Sequence, residues 1–176
     1  MSPIPDWTFK ISEIGKDGRD ERLAATPAEC TALASALEIP ACRSLTVTVR
    51  LAPLSRGRFR ASGSMRAAVT QSCIVTLEPV EAEIEAPLDI EFWPADDVAS
   101  QAGASFDALG GDDPEPLDGG RIDLGRIVYE LVGARLDPYP RKPGAAFDWT
   151  DTRDKAEASV PDPSPFAVLG KLKLKP

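Results

Sequence analysis

Arg58-Phe-Arg-Ala-Ser-Gly-Ser-Met-Arg-Ala-Ala-Val69 alternates without a break. Phe59, Ala61, Gly63, Met65, Ala67 and Val69 fall on one side, and Arg58, Arg60, Ser62, Ser64, Arg66 and Ala68 on the other. A period of two describes a strand with one face in a core and the other in water. Gly63 in its middle marks a bulge or a bend where a sheet curls. Upstream, Leu45, Val47, Val49 and Leu51 alternate with Thr46, Thr48 and Arg50, and Pro53-Leu-Ser-Arg-Gly57 supplies a turn. Downstream, an extended stretch from Gln71 to Trp93 is interrupted at Pro79 and Pro87. In it Val80, Ala82, Ile84 and Ala86 alternate with Glu81, Glu83 and Glu85, then Leu88, Ile90 and Phe92 with Asp89 and Glu91. Long strands with short connections predict an antiparallel meander. One face of it is apolar, while the other carries arginine on one strand and glutamate on the next. Cross-strand ion pairing is the simplest account of both stripes.

Two helices flank this centre. Thr26-Pro27-Ala28-Glu29 reads as a capping box with proline at the first helical position. The helix it opens buries Cys30, Leu33, Ala34 and Leu37 and ends at Pro40. Asp123 sits where an N-cap belongs, ahead of Leu124, Ile127, Val128 and Leu131 at helical spacing, with Arg126 and Glu130 poised to pair. Before them, Trp7, Phe9 and Ile11 read as a short strand, and residues 15–22 as a charged loop. Residues 94–116 read as a long acidic loop. The fold class expected is α+β: a curled antiparallel sheet or partly closed barrel with two main helices and a short C-terminal helix. One domain spans residues 1–149, a flexible linker residues 150–163, and an amphipathic tail with Phe166, Leu169 and Leu172 residues 164–176.

Composition narrows the chemistry. The chain has 176 residues, no histidine and three cysteines, Cys30, Cys42 and Cys73, with no C-x-x-C pair among them. That removes Ser-His and Cys-His nucleophile pairs and argues against a zinc site or a disulfide framework. Neither a catalytic residue, a metal nor a cofactor is expected. The acids Asp112, Asp113, Glu115, Asp118 and Asp123 lack the ligand spacing of a calcium loop. No apolar stretch approaches a membrane span, and the first residues do not resemble a signal peptide, so the expected location is cytoplasmic.

The net charge is −8, yet the charges are segregated. Between Glu38 and Glu78 there is no acid, and Arg43, Arg50, Arg56, Arg58, Arg60 and Arg66 give that interval +6. Residues 79–163 carry twenty acids against seven bases. Phosphate responds to local potential, so these six arginines are the candidate RNA-binding set. A solvated, ion-paired strand face is the competing reading.

Four segments resemble the YceD family of bacterial proteins implicated in accumulation of large-subunit ribosomal RNA. Ser72-Cys-Ile-Val-Thr-Leu-Glu-Pro79 is similar to the family's C-x-R-C-L-E turn. Cys73 matches the first cysteine, Thr76 replaces the second, and Val75 replaces the basic residue. Asp118, Gly119, Ile122, Asp123, Leu124, Val128, Glu130 and Leu131 agree with the block D-G-x-x-I-D-L-x-x-x-V-x-E-x-L. Leu136-Asp-Pro-Tyr-Pro-Arg-Lys-Pro143 keeps the prolines of a following segment without its cysteines, and Ser164 to Lys173 resembles the family's ending. The resemblance implies a non-enzymatic factor in large-subunit biogenesis. Its setting would be 23S ribosomal RNA or its precursor complexes, with ribosomal proteins or assembly factors as further partners. Direct RNA contact through the arginine strand is one expectation. The alternative is a protein-binding adaptor acting through the acidic loop and C-terminal helix.

Overall fold

A computed structural model describes residues 5–101 and 114–147, and the described residues up to Ala145 form one compact unit. The linker and tail expected at 150–163 and 164–176 lie outside the described residues. In chain order the elements are β1 (Thr8–Lys10), β2 (Arg19–Ala24), α1 (Pro27–Ala36), β3 (Ala41–Pro53), β4 (Phe59–Ser72), β5 (Pro79–Pro94), α2 (Ala95–Gln101), β6 (Glu115–Leu117), β7 (Arg121–Asp123) and α3 (Leu124–Arg135). A five-stranded sheet runs β2-β3-β4-β5-β6, antiparallel except for the parallel β5–β6 pair, and β1 and β7 form a small antiparallel sheet of their own. The fold is α+β as expected, and among the described residues no barrel closes.

The alternation of the central strands sets which face is inside. Leu45, Val47, Val49 and Leu51 of β3, Phe59, Ala61, Met65, Ala67 and Val69 of β4, and Ile84, Ala86, Leu88 and Phe92 of β5 are buried in one cluster. Cys30, Leu33 and Ala34 of α1 and Leu124, Ile127, Val128 and Val132 of α3 join the same cluster. Each large apolar side chain so buried stabilises the fold by roughly 1.5–3 kcal/mol before entropy is counted. The register of β3 against β4 shifts between Cys42 and Ser44, so Arg43 is an extra, exposed residue. That bulge lets both Cys42 and Leu45 face the core, which a regular strand forbids.

Several expectations need correction. The bulge is at Arg43 and not at Gly63, which pairs in unbroken register with Val49. A Cβ at Gly63 would collide with the Thr48 carbonyl, so close approach of the β3 backbone is what requires glycine there. The region read as a charged loop, 15–22, overlaps β2, whose residues 19–24 alternate half-buried and exposed. Pro79 starts β5, and Pro87 stands inside it opposite Ser64. β6 reaches only Phe92–Pro94, so among the described residues Pro87 lies where no strand pairs with the outer side of β5. The stretch read as a long loop contains α2 and β6. Finally, α1 stops at Ala36, and the chain turns through a left-handed Glu38 (φ 54°) before Pro40 is reached. The capping box itself is present: the Thr26 hydroxyl accepts from Glu29 N (3.3 Å), and the Glu29 carboxylate accepts from Thr26 N (2.7 Å).

Candidate functional site

Two surfaces hold the residues singled out by sequence. The first is the polar face of the large sheet. Arg50 of β3 donates to Asp20 (2.6 Å) and to the Asp17 carbonyl (2.6 Å). Arg60 of β4 grips Asp89 with two hydrogen bonds (2.6 and 2.5 Å), and Arg66 pairs with Glu85 (2.8 Å). Arg43, on the bulge, pairs with Glu81. Arg58 lies across the Trp93 ring at 3.5 Å from its centroid and donates to Asp97 of α2 at 3.2 Å. Arg56 stands apart, in a left-handed turn (φ 62°) between β3 and β4, and among the described residues no carboxylate lies within ion-pairing distance of it.

Five of the six arginines in the candidate set are thus matched to carboxylates: Arg60 and Arg66 of β4, and Arg43 on the bulge, to acids of β5, Arg50 to β2 and Arg58 to α2. The Arg60 guanidinium holds the Asp89 carboxyl below its ordinary range, and the Glu85 carboxylate pushes Arg66 further up. These pairs are mostly exposed, with side-chain accessibilities of 48% for Arg60 and 71% for Arg66. Solvent screens them, so each contributes little to stability. They neutralise the face more than they stabilise the fold.

The second surface joins the turn between β4 and β5 to the segment after α3. Cys73 N donates to Glu78 O (2.8 Å) and Leu77 N to Cys73 O (2.9 Å), with Leu77 in the left-handed region at φ 60°. Across 66 residues of chain, the Gln71 amide donates to Asp137 O (2.8 Å) and accepts from Asp137 N (3.3 Å). Ile74 N donates to Pro140 O (2.9 Å), and Lys142 Nζ reaches Glu78 (3.0 Å). The Cys73 Sγ, covered completely by these partners, accepts from Lys142 N (3.4 Å) and Thr76 N (3.5 Å). The Lys142 N–H, followed by the Thr76 side chain and N–H, lowers this thiol to about 6 against the opposing effect of burial. Glu78 is held low too, by the Lys142 ammonium and the Thr76 hydroxyl. Around this cradle Leu77 is 78% exposed, Tyr139 71% and Ile74 45%.

The acidic-turn block has a structural role. Asp118 bridges to Arg121 over Gly119 and Gly120, both at positive φ (55° and 71°). Ile122 and Leu124 are fully buried, and Leu124 N donates to Trp7 O (3.1 Å). Asp123 caps α3 by accepting from Arg126 N (3.1 Å). Arg126 then clamps Glu115 of β6 (2.5 Å) and Glu130 one turn on (2.8 Å). Among the described residues no three metal-ligating side chains cluster, and no helix is long and apolar enough to cross a membrane.

These are the segments on which a family match would be built. The family model described as "Large ribosomal RNA subunit accumulation protein YceD" matches residues 61–173. The chain belongs to the YceD family. Neither the curated proteins nor the solved structures contain a match. The YceD span begins inside β4 and takes in the Cys73 turn, the acidic-turn block, α3 and the proline-bounded segment, and it leaves β1, β2, α1 and β3 outside. The family's description gives this chain a role in accumulation of large-subunit ribosomal RNA. Two of the motifs that carry the YceD resemblance, far apart in sequence, meet at one thiol. At the position of the family's second cysteine, Thr76 supplies an N–H to Cys73 Sγ. Sequence reasoning matched both motifs but not their contact, since neither segment has a periodicity that points at the other.

Proposed function

We propose that this YceD-family protein supports 23S ribosomal RNA accumulation as a non-enzymatic factor. It acts through contact with a protein of the assembling large subunit, at the surface made by the 73–78 turn and the 137–142 segment. The observation that carries this reading is the display of Leu77, Tyr139 and Ile74, large apolar side chains held outward on a hydrogen-bonded platform. An exposed leucine in left-handed backbone is costly to a fold that gains nothing from it. Apolar and aromatic anchors at the centre of a polar rim are what protein interfaces use. Glu78, Asp137, Arg141 and Lys142 supply that rim.

Direct RNA contact through the arginine face is the second reading. It is favoured by the exposure of Arg60 and Arg66 and by the low cost of exchanging a solvent-screened surface carboxylate for a phosphate. Against it, Glu81, Glu83, Glu85, Asp89 and Glu91 lie beside the arginines in the β4–β5 register, and the freed acids would repel the incoming phosphates.

Co-sedimentation with precursor large-subunit particles separates the two. The pair Leu77→Asp and Tyr139→Asp is expected to abolish association while leaving the melting temperature near wild type. The triple variant Arg50→Glu, Arg60→Glu, Arg66→Glu is expected to retain it. The reverse pattern, with binding that falls steeply as salt rises, would replace the adaptor reading with the RNA reading.

A further inference from the structure

The remaining two cysteines stand together. Cys30 lies one turn into α1, fixed there by the capping box and by its own N–H to Thr26 O (2.9 Å). Cys42 lies at the start of β3, turned inward by the bulge at Arg43, with its Sγ 3.6 Å from Ser44 O. Cys30 lies near enough to the Cys42 thiol to oppose its ionisation. Both are free, with relative exposures of only 4% and 8%. They nevertheless line a common cleft of about 330 Å³, together with Ala24, Pro27, Thr31 and Arg43. No other element of the fold brings two nucleophilic sulfurs to one opening among the described residues. The pair also lies outside the span matched by the family.

We propose that Cys30 and Cys42 are a redox-sensitive dithiol, a modification site at which an intramolecular disulfide closes by exchange with a small organic disulfide of the glutathione class. Two cysteines that line one cleft, on the first turn of α1 and the first residues of β3, need only a local shift to meet the geometry of an S–S bond. The cleft that both thiols line is open to the reagent. Burial, and then the neighbouring Cys30, raises the Cys42 thiol to about 12, so Cys42 keeps its proton and Cys30 reacts first. The Cys30 sulfur, its proton lost to solvent, attacks one sulfur of the small disulfide. The first thiolate leaves and takes up a proton. Cys42 then attacks the Cys30 sulfur of the mixed disulfide, passing its proton to the second departing thiolate. Two protein thiols lose two electrons and two protons, and the small disulfide gains them as two thiols. The product ties the first turn of α1 to the start of β3.

The full chain, purified reduced, is equilibrated in buffers of graded reduced-to-oxidised glutathione ratio, alkylated after denaturation and weighed intact. The expected result is a change from three alkylated thiols to one, with peptide mapping recovering a Cys30–Cys42 cross-link and the alkyl group on Cys73. Cys73→Ser should leave the transition unchanged, while Cys42→Ser should trap glutathione on Cys30. Three alkylated thiols across the whole series would overturn the proposal, as would a cross-link that includes Cys73. The mapping uses the unmodified chain, so its outcome holds even where a serine variant fails to fold.

Discussion

Cys42 and Cys73 are both covered from water, and their protons are held in opposite ways. Cys42 faces a core and another thiol, and its pKa rises to about 12. Cys73 faces the N–H groups of Lys142 and Thr76, and its pKa falls to about 6. Two covered thiols with opposite outcomes show that accessibility does not by itself decide the charge of a buried sulfur. The donors aimed at it do. The core site is made by strand alternation and a bulge, whereas the cradle is made by two irregular segments that meet late in the chain.

The harshest way to break the comparison is to force a charge into each site. Cys42→Asp is expected to cost roughly 3–5 kcal/mol, because the carboxylate finds no donor in the core. Cys73→Asp is expected to stay near the ~1 kcal/mol typical of point substitutions, since N–H donors already face the position. Urea unfolding of the two variants checks both values. Equal losses would mean that the cradle does not favour an anion.

Removing the strap is the next largest change. Gln71 is buried and joins β4 to Asp137 by two hydrogen bonds. Gln71→Ala should cost about 1–3 kcal/mol by stranding those partners. Alkylation of Cys73 in the native protein should then accelerate, while that of Cys42 should not. A rise at both thiols would indicate general loosening instead.

The pH dependence sharpens the contrast further. The folded-state pKa of Cys73 lies below the ordinary thiol value of 9.0, so its contribution to stability is complete above that value and is lost as pH falls through about 6. For Cys42 the native state keeps a proton that the unfolded chain releases, so stability declines as pH rises from 9.0 towards about 12. Chemical unfolding across pH should show a rising limb that Cys73→Ser flattens and a falling limb that Cys42→Ser flattens. The smallest effect concerns Lys142, whose backbone N–H is the largest cause of the lowered thiol. Lys142→Ala keeps that N–H and should cost less than ~1 kcal/mol with the thiol still low. Lys142→Pro removes the N–H and should raise it, which a pH titration of alkylation rate reads directly.

Legibility in the sequence follows the same division. Where side chains alternate or recur at helical spacing, as from Leu45 to Leu51, Phe59 to Val69 and Leu124 to Leu131, the residues declare their own faces and the elements appear as read. The capping box at Thr26 and the cap at Asp123 are local chemistry and were equally legible. β2 was hidden because Arg19 and Glu21, two charged residues, occupy its half-buried side. α2 and β6 were hidden in an acidic stretch because tertiary pairing, Arg58 with Asp97 and Arg126 with Glu115, supplies what local propensity does not. The meeting of Gln71 with Asp137 and of Cys73 with Lys142 depends on how the chain returns after α3, and no residue spacing encodes it. The cysteine pair was likewise out of reach, because the inward turn of Cys42 depends on the bulge at Arg43.

Pro87 has a consequence at the scale of many molecules. β5 is paired along its inner side, and among the described residues no strand pairs with its outer side before β6 meets it at Phe92. An open strand of this length is a template on which another chain can add its own strand and begin a fibre. An incoming strand would meet a residue with no N–H to offer at Pro87 and the alternating carboxylates of Glu81, Glu83 and Glu85 beside it. In a second copy lying antiparallel, those carboxylates would face their own kind. The strand that supplies the ion pairs of the sheet is thereby also a poor seed for aggregation, and replacing Pro87 with a β-branched residue would restore the seed without disturbing the core.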